Sequence, residues 1–266
     1  MGYRELSIIQ YQNVSKAPHI HKLWLSPEAF KKQLDHISQN NFQVISIDDA
    51  IDYMEGKKSI KGSRPISLTF DNGFRDFYEQ VYPALSDYNF TCAVLISPLK
   101  VGKSVSIEGR DINYLTWDNL KKLTGNNITI GAYEDHAWNI NDVPKKMIQR
   151  HITDYKRLLE DRLGLEIRYF GVKEGIPNQK IRDLLISEGY RAFLTQSPTN
   201  RSSDLFSIGR IQVDDDDFNI FLTKISRIYL FFKDKRSWKY IRKYSLDKIA
   251  HKLSETFDSI RGVKTI

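Results

Sequence analysis

The chain has 266 residues, enough for one α/β domain, and 41% of them are apolar, enough to fill its core. Lys and Arg number 40 against 33 Asp and Glu, a net charge of +7, and no run of 18 uncharged apolar residues offers a membrane span. The single cysteine, Cys92, excludes an intramolecular disulfide, and the opening MGYRELSIIQ lacks the pattern of a secretion signal, so a soluble cytoplasmic chain is expected.

Leu6 to Tyr11 reads as a first strand. The loop HIHKLWLSP then leads to a helix over 27–40, with Ser26 as cap, Pro27 at its first position and Phe30, Leu34 and Ile37 at helical spacing. His19 and His21 in that loop have a spacing that suits a metal, although loop histidines more often face water. FQVISI alternates as a strand, and EGKKSIKGSR is a solvated basic loop. In ISLTF the apolar Ile66, Leu68 and Phe70 alternate as a buried strand that ends in Asp71, Asn72 and Gly73. Polar side chains and a glycine at a strand end sit at the carboxyl edge of a sheet or barrel, where α/β folds collect their chemistry.

A helix over 76–87 and a strand over 90–96 follow, with Cys92 as a small buried hydrophobe. PLKVGKSVSIEGRDIN reads either as an active-site loop or as a surface excursion. Thr116 caps a helix in TWDNLKKL, and ITIG at 128–131 is a strand that ends before Ala132, Tyr133, Glu134, Asp135 and His136. The helix 144–163 carries an apolar stripe from Met147 to Leu163, with His151 read as off that stripe and exposed. VDDDD at 213–217 lacks the alternating ligands and glycine of a calcium loop and reads as a solvated acidic turn. Strands and helices alternate without a repeat, which argues for a parallel sheet closed, or nearly closed, into a barrel.

TFDNG, Phe74, Pro83 and FTCAVLI, in that order, resemble the polysaccharide deacetylase (NodB-homology) family, whose first motif is TFDDG followed by an aromatic residue, a helix, a proline and an ATFFV-like strand. YQNV at 11–14 resembles the family's YHxV, with Gln12 in place of the histidine, and YKRLLEDRLGLEIRYFG, LLISEGYRAFLT and DLFSIGRI fall in family order, so the resemblance covers residues 5 to about 220. It implies a distorted (β/α) barrel of about seven strands and hydrolysis of the N-acetyl amide of a sugar. That reaction needs a Lewis acid, a base for water and an acid for the departing amine.

The resemblance places Asp71 at the base position, with Arg210 to keep it charged, and Asn72 at a ligand position for a divalent metal, often zinc. Counting from Gly131 puts Tyr133 and Ala137 where the family has its two metal-binding histidines; His136 lies one residue short. A shifted set of Asp71, His136 and either Glu134 or Asp135 is one reading, and a polar loop bonding its own backbone is the other. Phe74, Tyr133, Lys173 and Glu174 are the substrate-facing candidates, the last two either bonding sugar hydroxyls or pairing with each other. Beyond residue 211 only His251 remains, without the motif of the family's general acid. Two functions stand: a de-N-acetylase of a glycan with a rearranged metal set, and a non-catalytic glycan-binding or scaffold protein, toward which the ligand count leans.

The barrel domain is expected over 1–220, with a basic helical extension over 221–266. Twelve Lys and Arg against four acids give that extension +8, so residues 1–220 carry about −1 and a nucleic-acid partner is not expected. Either Phe221, Ile225, Ile228 and Phe232 form a stripe that packs on the barrel, or the aromatic and basic residues lie on anionic lipid or an acidic polysaccharide, peripheral to a membrane.

Overall fold

The structure is a computed structural model that describes residues 6–17, 24–61, 64–134, 139–196, 204–213 and 217–226. Strand β1 (Ser7–Tyr11) leads through the short β2 (Asn13–Val14) and β3 (Trp24–Leu25) to helix α1 (Pro27–Gln39). The Ser26 hydroxyl accepts the Ala29 amide at 3.0 Å and Pro27 occupies the first turn, so the expected cap is present. The alternation of FQVISI yields only the three-residue β4 (Phe42–Val44), because Ser46 caps a second helix, α2 (Ile47–Glu55), that the sequence reading missed.

β5 (Arg64–Phe70) is followed by a wide π-helical turn over Phe77–Val81 that runs into α3 (Tyr82–Asp87), and then by β6 (Cys92–Ile96). The polar segment after β6 contains a hairpin, β7 (Ser104–Ile107) and β8 (Arg110–Asn113). Its tip, Glu108 and Gly109, has φ of 48° and 75°, a primed turn in which glutamate stands where asparagine or aspartate would announce it. α4 (Trp117–Leu123) carries a capping box between Thr116 and Asn119. β9 (Ile128–Glu134) runs three residues past the expected end at Gly131. There follow α5 (Lys145–Leu163), β10 (Tyr169–Val172), α6 (Gln179–Ser187), β11 (Ala192–Thr195), β12 (Ile208–Gly209), β13 (Ile211–Gln212) and α7 (Phe218–Ile225).

The main sheet is parallel, in the order β12-β11-β10-β9-β6-β5-β1-β13, with β4 beside the start of β5. β12 and β13 flank the single residue Arg210: Ile208 pairs with Leu194 on one side and Ile211 with Ile9 on the other. One stretch therefore joins both edges, and the eight strands of the path form a nearly closed barrel of seven staves. Side chains alternate across it. Ile8, Ala93, Leu95, Ala192, Leu194 and Ile208 form one cluster, into which α2 inserts Ile47, Ala50 and Ile51. Ile9, Phe70, Val94, Ile96, Phe170 and Phe193 belong to the larger layer beneath the other helices.

Room for Leu95 comes from glycine. A Cβ at Gly131 would lie 2.6 Å from Leu95 Cδ2 and 3.0 Å from the Tyr169 carbonyl, and one at Gly171 would collide with Leu95 as well. Gly131→Ala is expected to cost about 1–3 kcal/mol through overpacking, because the carbonyl cannot yield as a side-chain end can. Urea unfolding of the variant measures it; an unchanged midpoint would mean that the barrel interior has slack the packing does not suggest.

α7 crosses the expected 220/221 boundary. Phe221 and Ile225 are buried in the outer layer, Lys224 donates to the Gln212 carbonyl at 2.8 Å, and Arg64 donates to the Ile225 carbonyl at 3.1 Å. The start of the basic extension is thus a packed helix, whereas Ile228, Phe232 and the remainder from 227 lie outside the described residues. Among the described residues no helix is long and apolar enough to cross a membrane.

Candidate functional site

The outward residues of β5, Leu68 and Phe70, alternate with Ser67, Thr69 and Asp71, which are 0%, 0% and 1% exposed. Asp71 stands at the carboxyl end of the strand, with its amide donating to the Tyr11 carbonyl at 3.0 Å. The Arg210 guanidinium grips its carboxylate as a fork, Nη1 to Oδ1 at 2.6 Å and Nη2 to Oδ2 at 3.1 Å, and also donates to the Val172 carbonyl at 3.3 Å. Both side chains of this pair are fully buried. Planar, charge-assisted and bidentate contact is the strongest form such a pair takes. Arg210 reaches it because it sits between β12 and β13, where the stretch changes partner.

Gln10 Nε2 donates to Asp71 Oδ2 at 2.5 Å, a contact the sequence reading missed. The signal was available: Gln10 is the polar residue inside the buried run SIIQY, two residues from Ile8 and so on the same, inward face. Its Oε1 is buried without a partner among the described residues. Tyr133 is buried near the same carboxylate. Burial first, then the charge of Asp71, push the Tyr133 phenol well above its ordinary range, against the opposing pull of Arg210. Tyr133 is thus held as a neutral phenol.

The extra length of β9 explains where its last residues point. With Gly131 and Tyr133 inward, Glu134 faces α5 and pairs with His151 Nδ1. His151 is 8% exposed and stacks on Tyr155 at 4.7 Å between ring centroids, which corrects the reading of an exposed histidine. The reason is positional: 151 lies three residues after Ile148 and four before Tyr155, on the buried stripe. Burial, and next the charge of Glu134, raise the Tyr155 phenol to about 12, with a hydrogen bond to Ser97 opposing. Since the unfolded phenol ionises near 10.0, this contribution to stability is whole below that pH and lost as the pH rises through about 12. Tyr155→Phe should therefore flatten the alkaline fall of stability across that window; an identical slope in unfolding measured at stepped pH would contradict it.

Asn72 and Gly73 have φ of 70° and 69°. Asparagine accepts the left-handed conformation readily, and at Gly73 a Cβ would also lie 2.5 Å from Ile96 Cδ1. The turn delivers Phe74 into an aromatic trio, stacked on Tyr114 at 5.0 Å and edge-on to Trp24 at 5.5 Å, all three buried. Lys173 and Glu174 follow β10, half-buried and exposed respectively, and the Glu174 carbonyl accepts the Ile140 amide at 3.2 Å.

The described residues do not fit a zinc ion. Zinc takes carboxylate, imidazole or thiolate donors, whereas Asn72 offers a neutral amide, Tyr133 a neutral buried phenol, and Glu134 is turned away to α5. Among them no three His, Cys, Asp or Glu side chains group so as to hold a metal. Asp135, His136 and Ala137 lie outside the described residues, as do His19, His21 and His251.

The barrel and its buried aspartate–arginine pair give the fold and one contact, and comparison with known proteins supplies the family. The family profile for polysaccharide deacetylase matches residues 58–193, from the approach to β5 into the start of β11. YxkH of Bacillus subtilis (strain 168), which carries polysaccharide deacetylase in its name, is 20% identical over 211 residues, 79% of this chain and 71% of that protein. IcaB from Ammonifex degensii superposes with a TM-score of 0.70 at 21% identity, over 79% of this chain and 92% of IcaB. The Streptococcus pyogenes deacetylase PplD, solved in complex with acetate, gives 0.65 at 16% identity, over 80% and 93%. The chain belongs to the polysaccharide deacetylase family.

Proposed function

We propose that this protein binds an N-acetylated glycan at the barrel mouth and does not hydrolyse it by the family's metal-dependent route. The observation that carries this reading is the state of Asp71. A general base must reach the water it deprotonates, but the Asp71 side chain is fully buried and accepts from Arg210 and Gln10 together. Asn72 and Tyr133, at two positions where the family places metal ligands, weaken the Lewis acid in the same direction. Lys173 and Glu174 at the rim are the groups left to meet sugar hydroxyls, since Phe74 and Tyr133 are buried. Cytoplasmic location, and contact of the basic tail with an anionic surface, belong to this proposal on composition alone.

The test uses the full chain with N-acetylglucosamine oligomers and added zinc. Saturable binding in calorimetry without acetate release above the protein-free rate is the expected result. Acetate release abolished by Asp71→Asn would instead establish the second reading, a de-N-acetylase, which the retained fork between Arg210 and Asp71 favours.

A further inference from the structure

We propose that a groove at the opposite end of the barrel is a second glycan-binding site, which takes one uncharged sugar ring of a polysaccharide through the carboxamides of Asn89, Asn126 and Asn127 against the rings of Tyr82 and Phe90. Asn89 and Phe90 precede β6 and Asn126 and Asn127 precede β9, so the groove opens at the amino-terminal ends of strands whose other ends form the mouth. The seven residues of β9 at about 3.3 Å each separate the two places by roughly 20 Å.

Size and charge restrict the ligand. The groove holds about 250 Å³, just below the roughly 300–1,000 Å³ of pockets for drug-sized ligands, so it suits a single ring rather than a folded oligosaccharide. None of its lining residues is charged, in a chain where 27% of residues are. A phosphate, a carboxylated ligand or a cation would find no counter-charge there. A hydroxyl-rich neutral ring would find donors and acceptors: Asn127 Nδ2 makes a long contact to Asn89 Oδ1 at 3.4 Å and Asn126 Nδ2 donates to the Lys122 carbonyl at 2.7 Å. Asn89 Nδ2, Asn126 Oδ1 and Asn127 Oδ1 have no partner among the described residues, and a carboxamide offers neighbouring hydroxyls both a donor and an acceptor.

The frame that presents these amides is fixed. Asn89, Gly125 and Asn127 adopt φ of 53°, 79° and 59° in the turns that end α3 and α4. The two turns are tied together where the Thr91 hydroxyl donates to the Asn127 carbonyl at 2.6 Å and the Cys92 amide does so at 3.3 Å. Glycine alone closes α2 and α5, at Gly56 and Gly164, in the same left-handed conformation. At 89 and 127 asparagine takes that conformation instead, as it does at 41 and 72, and brings a carboxamide to the groove where glycine would bring none. Phe90 is stacked on Tyr88 and Tyr82 on Tyr78, which holds both rings as walls for the C–H face of a sugar. A polymer held here while another of its residues occupies the mouth would gain through effective concentration. Only this linkage to the mouth rests on the proposed function; the groove itself does not.

The experiment titrates the 15N-labelled full chain with N-acetylglucosamine tetramer and with the neutral glucose tetramer, following amide signals at 89 and 125–127 and, separately, at Gln10 for the mouth. The variant Asn89→Gly/Asn126→Ala/Asn127→Gly keeps the positive φ values and removes the heads. Saturable shifts at 89 and 125–127 with either sugar, weakened by about tenfold or more in the variant with its unfolding midpoint unchanged, are expected. Absence of saturable shifts there, or affinity equal in the variant, overturns the proposal. Shifts confined to the groove would uphold it while sinking the mouth reading, and shifts confined to the mouth would do the reverse.

Discussion

Arg210→Met should cost about 3–5 kcal/mol of folding stability, the range for breaking a buried ion pair from one side. The substitution leaves the Asp71 carboxylate fully buried and short of its two strongest donors, with Gln10 as the donor that remains among the described residues. Exposed pairs on this protein, such as Arg75 with Glu79 or Arg150 with Asp154, would lose no more than about 1 kcal/mol on the same treatment. The companion variant Asp71→Leu/Arg210→Met separates charge from packing, because replacing a buried pair by apolar groups of similar volume is often nearly neutral. It should recover most of the loss in urea unfolding with an unchanged m-value. A single Arg210→Met variant as stable as the parent would mean that Asp71 is satisfied by something other than Arg210 in the folded state, and the argument that the pair holds it would fall with it.

The barrel was legible because its signals are local. Ile66, Leu68 and Phe70 alternate over one strand, Ser26 with Pro27 announces a helix, and the order of such units selects a parallel barrel. What was not legible depends on where a strand stops. β9 continues through Ala132, Tyr133 and Glu134, and each added residue reverses the face of the next, so Tyr133 turns to Asp71 and Glu134 to His151. A strand ending at Gly131 left all of them free to gather in one loop. α2 was hidden because FQVISI satisfies strand periodicity up to the serine that caps the helix. Arg210 was found as a partner of Asp71 through the resemblance of DLFSIGRI to the family's late strand, while Gln10 needed the inward face of β1 to be known.

Asn72→Asp together with Tyr133→His should raise zinc affinity by roughly two to four orders of magnitude. A complete structural zinc site is worth about 10–16 kcal/mol for four ligands, so one donor is on the order of 3 kcal/mol, or a hundredfold. The carboxylate introduced by Asn72→Asp would add an anionic oxygen beside Asp71, and the backbone there permits it, because aspartate tolerates a φ of 70° as asparagine does. The exchange at 133 is less benign: a fully buried phenol becomes a smaller imidazole, and the vacated volume costs stability as other large-to-small changes do. The two substitutions act on different properties, so the single variants tell them apart. Asn72→Asp should gain affinity with its stability kept, and Tyr133→His should gain it with a lowered unfolding midpoint that zinc restores. Competition against a chelator measures the affinities. Tight stoichiometric zinc in the unsubstituted chain would show that donors outside the described residues complete the site, and would remove the ground for a binding-only mouth. Tight zinc in the double variant without acetate release would place the remaining deficit in the proton transfers, the base role of the buried Asp71 or the missing donor for the departing amine, which neither substitution restores.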